Sequence, residues 1–128
     1  MQRPTQVPSS WQAFNVAARL QSMAARIPDS IAIATPTGRA AAGTSRAYRS
    51  LNFTQLELNT SSIAAGLQSM GVRPGMKIVL LVRFGMDFIA LVFALLKINA
   101  VIVLVDPGMG KKNLLRCLAE TEPDGFIA

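Results

Sequence analysis

The sequence contains no histidine and only one cysteine, Cys117, among its 128 residues. A single cysteine excludes an internal disulfide bond. Zinc sites are built mainly from cysteine and histidine ligands, so their near absence argues against a zinc centre. We therefore assign no metal-binding residue from the sequence, and we assign no catalytic residue either. Cys117 lies in a run with Leu114, Leu115 and Leu118, and this spacing predicts a packed side chain rather than a nucleophile.

Aromatic residues are scarce as well, at 6% of the chain, and seven acidic residues stand against thirteen basic ones. The resulting net charge of +6 could attract nucleic acid or an anionic surface. The basic residues, however, are scattered along the chain, and no nucleic-acid-binding motif accompanies them. We therefore expect a solvated basic surface and no nucleic-acid partner.

Long hydrophobic runs are also missing. The longest candidate, residues 88–96, ends before Lys97 and Asn99, whereas a membrane-spanning helix needs about 20 apolar residues. The first 30 residues contain no continuous apolar segment of the kind that a signal peptide requires. We expect a chain that does not span a membrane, and we expect it in the cytoplasm.

Charged residues make up only 16% of the chain, while hydrophobic residues make up 51%. A small globular protein has proportionally more surface and would be expected to carry more charge. This composition predicts a piece of a larger domain whose remaining part covers apolar faces. The sequence of residues 124–128 agrees, because it reads as a turn that enters a new strand.

The stretch from Lys77 to Lys112 organises the predicted fold. Residues 77–82 form an apolar, β-branched run typical of a strand buried on both faces. Residues 86–97 repeat apolar side chains at helical spacing, and a second apolar run follows at residues 101–105. Strand, helix and strand in this order predict a βαβ unit with parallel strands. Chemistry in such sheets lies at the carboxyl ends of the strands, here residues 83–85 and 106–112.

The elements before this stretch are predicted from shorter signals. Residues 1–14 are expected to be a flexible arm. Asn15 can cap a helix with one apolar stripe, and two short strands at residues 31–34 and 48–53 can pair as a β-hairpin with a mobile basic tip. Thr54-Gln55-Leu56-Glu57 has the form of a capping box, which predicts a helix that runs to Met70 and buries that residue. The stripe consists of Val16, Leu20, Met23, Ala24 and Ile27.

The chain contains, in this order, the segments 15–18, 28–33, 51–56, 66–67, 71–75 and 94–101. Their order and spacing resemble the opening of AMP-forming (adenylate-forming) ligases. The resemblance covers residues 15–128. The family includes the acyl-CoA synthetases and the β-lactone synthetases of the olefin pathway. The long basic hairpin tip and residues 104–110 are similar to the β-lactone synthetases.

The resemblance implies which parts of the family's catalytic machinery are absent here. The phosphate loop of the family is rich in Ser, Thr and Gly and ends in Lys, whereas residues 60–62 lack the glycines and the lysine. The acidic ribose-binding residue and the catalytic lysine lie beyond residue 128 in this family. The resemblance therefore implies that ATP and Mg²⁺, with CoA as a candidate acceptor, serve the full-length parent, and that the 128-residue chain does not catalyse by itself.

The turn that ends the second strand is the candidate cofactor-binding site. A Walker A loop ending at Lys111 would need glycine at position 105 and Ser or Thr at position 112, and a dinucleotide fingerprint would need glycine at position 113; neither is present. What remains is a glycine-rich turn before a helix, with two lysines that can attract an anion. The resemblance places this turn near the CoA entrance, so we assign it phosphate or thiol-acceptor binding. Alternatively, the glycines only shape the turn and the lysines are solvated. The assigned residues are Gly108, Gly110, Lys111 and Lys112.

The sequence therefore predicts an α/β fold, with a mainly parallel sheet of βαβ type flanked by helices and a short N-terminal β-hairpin. Residues 15–128 are expected to be the first part of the N-terminal domain of a ligase that activates a fatty acid. The partners implied are the remainder of the ligase chain and a fatty-acid-type substrate, and we expect the chain to self-associate. The alternative is a non-catalytic α/β module that binds another protein.

Overall fold

A computed structural model describes residues 15–38 and 42–128 of the chain. The predicted flexible arm, residues 1–14, lies outside the described residues, as does part of the hairpin tip, residues 39–41. Among the described residues the order of elements is helix, hairpin, helix, and then strands alternating with helices. These are α1 (Val16–Arg26), β1 (Ile31–Pro36), β2 (Tyr48–Asn52), α2 (Phe53–Ser69), β3 (Lys77–Leu80), α3 (Met86–Ile98), β4 (Val101–Leu104), a 3₁₀ turn (Pro107–Met109), α4 (Lys111–Thr121) and β5 (Gly125–Ile127).

The predicted parallel sheet is confirmed. Strands β4, β3 and β5 lie side by side in that order, and β3 pairs in parallel with both neighbours. The strand β3 is central, and its Ile78, Val79 and Leu80 are buried, as its apolar sequence requires. The final residues form a strand of this sheet, because Gly125 pairs with Ile78 and Ile127 pairs with Leu80. The predicted βαβ unit therefore consists of β3, α3 and β4.

The predicted hairpin is also confirmed. Strands β1 and β2 pair antiparallel, with a bulge between Ile31 and Ile33. The backbone N–H groups of Phe53 and Thr54 donate to the carbonyl groups of Ser30 and Pro28, which ties the start of α2 to the start of the hairpin. The hairpin therefore forms a sheet of its own beside the parallel sheet.

Two hydrophobic clusters hold these elements together. One joins α2, α3 and the parallel sheet through buried residues that include Leu67, Ile78 and Leu95. The other joins α1, β1, α2 and the start of α3 through Leu20, Ile33 and Leu56. Helix α3 contributes to both clusters, so it links the hairpin side to the sheet side. No helix in the described ranges is long and apolar enough to cross a membrane.

Three local predictions were wrong. Helix α2 begins at Phe53 rather than after Thr54: Asn52 is the N-cap, and Asn52 and Gln55 form the capping box. The hydroxyl of Thr54 instead donates to the carbonyl group of Pro28. Met70 is exposed, because it is the C-cap beyond the packed face of α2. In α1 the middle of the predicted stripe is correct, but its two ends are wrong: Val16 and Ile27 are exposed, and Ala17 is buried in place of Val16.

Candidate functional site at the carboxyl edge of the parallel sheet

The loops after β3 and β4 leave the sheet at its carboxyl edge. Leu80 and Leu104 are paired neighbours at the ends of the two strands, so both loops begin at the same edge. After β3 the chain passes through Arg83 and Phe84, which are exposed, and enters α3 at Gly85. The ring of Phe84 lies 5.2 Å from that of Phe88. After β4 the chain enters the turn that the sequence assigned to anion binding.

The turn is held in shape by Asp106. The Asp106 carboxylate accepts a hydrogen bond of 2.8 Å from the backbone N–H of Gly108 and caps the short 3₁₀ turn. A Cβ atom at position 108 would lie 3.1 Å from the same carboxylate oxygen. Gly110 has a φ of 79° and immediately precedes α4. This left-handed conformation favours glycine, so both glycines have a structural reason to be glycine.

The two lysines of the turn lie in the first turn of α4. Lys111 and Lys112 are exposed, and neither forms an ion pair with any described residue. No side chain caps this end of α4, so its first N–H groups remain available as donors. A helix start with free donors and two cations attracts an anion. The donors fit a phosphate group, but every lysine and glycine of the turn is exposed, so the structure offers an open surface there rather than an enclosed pocket.

Helix α4 itself differs from the sequence-based expectation. None of its residues is buried, and Cys117 is exposed, so the prediction of a packed cysteine is wrong. The half-buried residues of α4 are Leu114, Leu118 and Thr121, which follow one another at spacings of four and three residues. Cys117 lies three residues after Leu114, on the flank of this short stripe, and is exposed because no part of α4 is fully buried.

A second polar cluster was missed by the sequence analysis. The Nζ atom of Lys97 donates to Glu57 Oε1 at 2.6 Å and to Ser61 Oγ at 2.8 Å, which joins α3 to α2 across 40 residues of sequence. The side chains of Lys97 and Glu57 are 16% and 18% exposed, and Glu57 Oε2 is buried without a partner among the described residues. The ammonium group is occupied by these acceptors, so the cluster fixes two helices rather than offering a nucleophile.

The cluster of Lys97, Glu57 and Ser61 lines a polar cavity with a volume of about 360 Å³, and Asn15 forms another part of its wall. Its Oδ1 accepts from the N–H of Ala17 and caps α1, while its Nδ2 donates to the carbonyl group of Leu96 and to Asn99 Oδ1. One amide therefore caps the start of α1 and the end of α3. The sequence indicated the first of these roles but carried no signal for the second, because Asn99 lies 84 residues away.

The chain was compared with known proteins by sequence and by structure. The family model of AMP-binding enzymes matches residues 13–128. An olefin beta-lactone synthetase of Stenotrophomonas maltophilia is 43% identical over 114 residues, which is 88% of this chain and 21% of the relative. The chain thus spans about a fifth of the length of that curated relative.

Solved structures show the same fold at lower sequence identity. The N-terminal subdomain of NpsA from Klebsiella oxytoca superimposes with a TM-score of 0.73 at 20% identity, covering 89% of this chain and 27% of that one. A fatty acyl-adenylate ligase from L. pneumophila, in complex with acyl adenylate and pyrophosphate, has a TM-score of 0.73 at 19% identity. That match covers 97% of this chain and 22% of the ligase chain.

Proposed function

The chain belongs to the AMP-binding enzyme family, and from this premise we propose that residues 15–128 are the first part of the N-terminal domain of a ligase that activates a fatty acid. The observation that carries the proposal is the family match over residues 13–128 together with 43% identity to an olefin beta-lactone synthetase. A β-lactone forms from a β-hydroxy acid, so the name of this relative suggests a β-hydroxy fatty acid as the substrate.

ATP and Mg²⁺ belong to the proposed reaction of the full-length parent. ATP would supply the adenylyl group, which the fatty acid carboxylate accepts with release of pyrophosphate. Residues 60–62 do not fit a phosphate loop, because they lie inside α2 and the side chain of Thr60 is buried. The part of the chain that the structure describes also contains no group of three His, Cys, Asp or Glu residues that could hold a metal ion. We therefore propose that residues beyond this segment bind ATP and that the 128-residue chain does not adenylate a substrate alone.

We assign the turn of Gly108, Gly110, Lys111 and Lys112 to a phosphate-bearing acceptor, with CoA as the candidate. The support is the pair of exposed lysines at an uncapped helix start on the carboxyl edge of the sheet. Because the turn is exposed, we propose that the acceptor contacts it at the surface rather than in a deep pocket. The structural alternative remains that the glycines shape the turn and the lysines are solvated.

The partner proposed for this segment is the remainder of the ligase chain. Several large apolar side chains of the sheet are exposed, among them Leu104 and Phe126, and exposed apolar patches of this kind tend to be covered. For the same reason we propose that the 128-residue chain self-associates when it is alone. The cytoplasm remains the expected location of the parent.

The test uses the full-length parent with ATP, Mg²⁺ and a β-hydroxy fatty acid, and measures pyrophosphate release and the acyl-adenylate by mass spectrometry. We expect both products from the parent and neither from the 128-residue chain. The double variant Lys111→Ala with Lys112→Ala should raise KM for the acceptor and leave adenylate formation unchanged. A parent that makes no adenylate with any fatty acid would favour the non-catalytic interaction module. Unchanged kinetics in the double variant would make the turn structural.

A further inference from the structure

An apolar groove lies on the opposite side of α1 from the polar cavity. It has a volume of about 300 Å³, at the lower end of the range of roughly 300–1,000 Å³ that is usual for small-molecule sites. Helix α1 forms one wall with Met23, β1 forms the facing wall with Ala32 and Ile33, and Ile89 and Phe93 of α3 form the floor. The groove is partly open to solvent, since Val16 at its rim is exposed.

Arg19 is the one charged residue among those that line the groove. The described residues contain no ion-pair partner for Arg19, and its side chain is exposed at the rim. Arg26 follows seven residues later, so it projects from the same side of α1 about 10.5 Å further along the axis. An apolar groove with one unpaired guanidinium group at its rim, and a second beyond it on the same side of α1, has the chemistry to hold an alkyl chain with an anionic head group.

The charge of this part of the chain supports an anionic ligand. The described residues up to Asn52, which are 15–38 and 42–52, contain four arginines, no lysine and a single acidic residue, Asp29. No acidic residue lines the groove. The local excess of positive charge therefore raises the concentration of anions near a groove whose interior is apolar.

We propose that this groove binds a single-chain anionic amphiphile, a fatty acid, with its carboxylate at Arg19 and Arg26 and its alkyl chain between α1 and β1. The choice of a fatty acid rests on the proposed function, but the site needs neither ATP nor the adenylation centre. The groove would hold substrate on the N-terminal part of the ligase, on elements separate from the carboxyl edge of the parallel sheet.

The first test titrates the 128-residue chain with dodecanoate below its micellar concentration, by calorimetry and by NMR of the ¹³C-labelled carboxylate. We expect saturable binding with a stoichiometry of one. Arg19→Gln together with Arg26→Gln should weaken it at least tenfold, while Arg73→Gln, which removes an exposed arginine away from the groove, should leave it unchanged. Dodecyltrimethylammonium has the same chain and the opposite charge, and it should not bind.

The second test fills the groove without touching its charges. Ala32→Phe should abolish dodecanoate binding, whereas Ala34→Phe, on an exposed position of the same strand, should not. Circular dichroism and thermal unfolding establish that each variant is folded. Absence of saturable binding, equal binding of the alkylammonium ion, or insensitivity to both Arg19→Gln and Ala32→Phe would overturn the proposal. Binding only to anionic vesicles would instead assign the surface to a membrane, and a change of oligomeric state in Ala32→Phe would assign it to a second copy.

The two proposals can fail separately. If the full-length parent forms acyl-adenylate but the chain does not bind dodecanoate, the groove proposal is wrong and the proposed function stands. If the chain binds dodecanoate in the predicted manner and the parent forms no adenylate, the groove stands and the ligase function is wrong.

Discussion

The helices that follow β3 and β4 start and end in the same way but differ in how deeply they are buried. Both α3 and α4 begin after a glycine that provides no side-chain cap, and both end at a non-glycine residue in the left-handed conformation, Asn99 and Glu122. Helix α3 buries five residues, whereas α4 buries none. Both helices follow a parallel strand, which accounts for their similar starts and ends. Their burial depends instead on the elements that pack against each helix.

The charges of the two helices differ in the same way. Helix α3 has Asp87 in its first turn and Lys97 in its last, the arrangement that the helix dipole favours. Helix α4 begins with Lys111 and Lys112, which the dipole disfavours. The terminal charges of α3 are thus explained by interactions within this segment. The lysines of α4 have no such explanation, which is consistent with our proposal that they meet an anionic acceptor.

The largest expected difference between the helices concerns the free energy of unfolding. Leu95 of α3 has 0% exposure, so Leu95→Ala should destabilise the chain by about 2–5 kcal/mol. Leu115 of α4 is 59% exposed, and Leu115→Ala should change stability by less than about 0.5 kcal/mol. Urea denaturation of both variants measures the difference. Similar losses would mean that α4 is packed in solution, and repeating the measurement at several protein concentrations would show whether a second copy covers it.

The second expected difference concerns the lysines. Lys97→Ala leaves the largely buried Glu57 carboxylate without its partner; a loss between the values for exposed and buried pairs, about 1–3 kcal/mol, is expected. Glu57→Gln in the same background should restore part of the loss, because it removes the unpaired charge. Lys111→Ala should be neutral or stabilise by less than about 1 kcal/mol. A loss of stability in Lys111→Ala equal to that in Lys97→Ala would contradict the contrast.

Much of α3 and the sheet could be predicted from the sequence, because their apolar runs are long and their periodicity is unambiguous. The start of α2 could not. The chain offers two capping pairs there, Asn52 with Gln55 and Thr54 with Glu57, and local sequence does not choose between them. Tertiary contacts decide between the two pairs. The Thr54 hydroxyl group donates to the carbonyl group of Pro28, and the Glu57 carboxylate accepts from Lys97, so neither side chain caps α2.

The candidate site shows the same limit. The position of the turn at the carboxyl edge of the sheet could be predicted from the strand that precedes it. The partners of Asn15 and Lys97 could not, because they are 36 to 84 residues away in the sequence. The error at the start of the α1 stripe has a simpler cause: Val16 and Ala17 are both apolar, so the sequence does not decide which of them is buried.

The third expected effect concerns the end of α3. In Asn15→Asp the carboxylate can still cap α1, but it cannot donate to Leu96 or Asn99, and it faces two acceptor oxygens. A loss of about 1–3 kcal/mol is expected. Asn52→Asp is the matched control, because the Asn52 side chain acts as an acceptor in its capping box. Equal losses in the two variants, measured by urea denaturation, would show that the contact with α3 contributes nothing.

The smallest expected effect compares the two left-handed residues. Glu122 has a φ of 50° at the end of α4, and its side chain is exposed. Glu122→Gly should stabilise the chain by about 0.5 kcal/mol, since relief of the left-handed conformation exceeds the entropy that glycine adds to the unfolded chain. Asn99 has a φ of 60°, but it also accepts the 2.8 Å hydrogen bond from Asn15. Asn99→Gly should therefore destabilise by about 0.5–1 kcal/mol. The sign is the test: if both glycine variants shift the urea midpoint in the same direction, the ends of α3 and α4 are governed by backbone conformation alone, and the bond to Asn15 does not distinguish them.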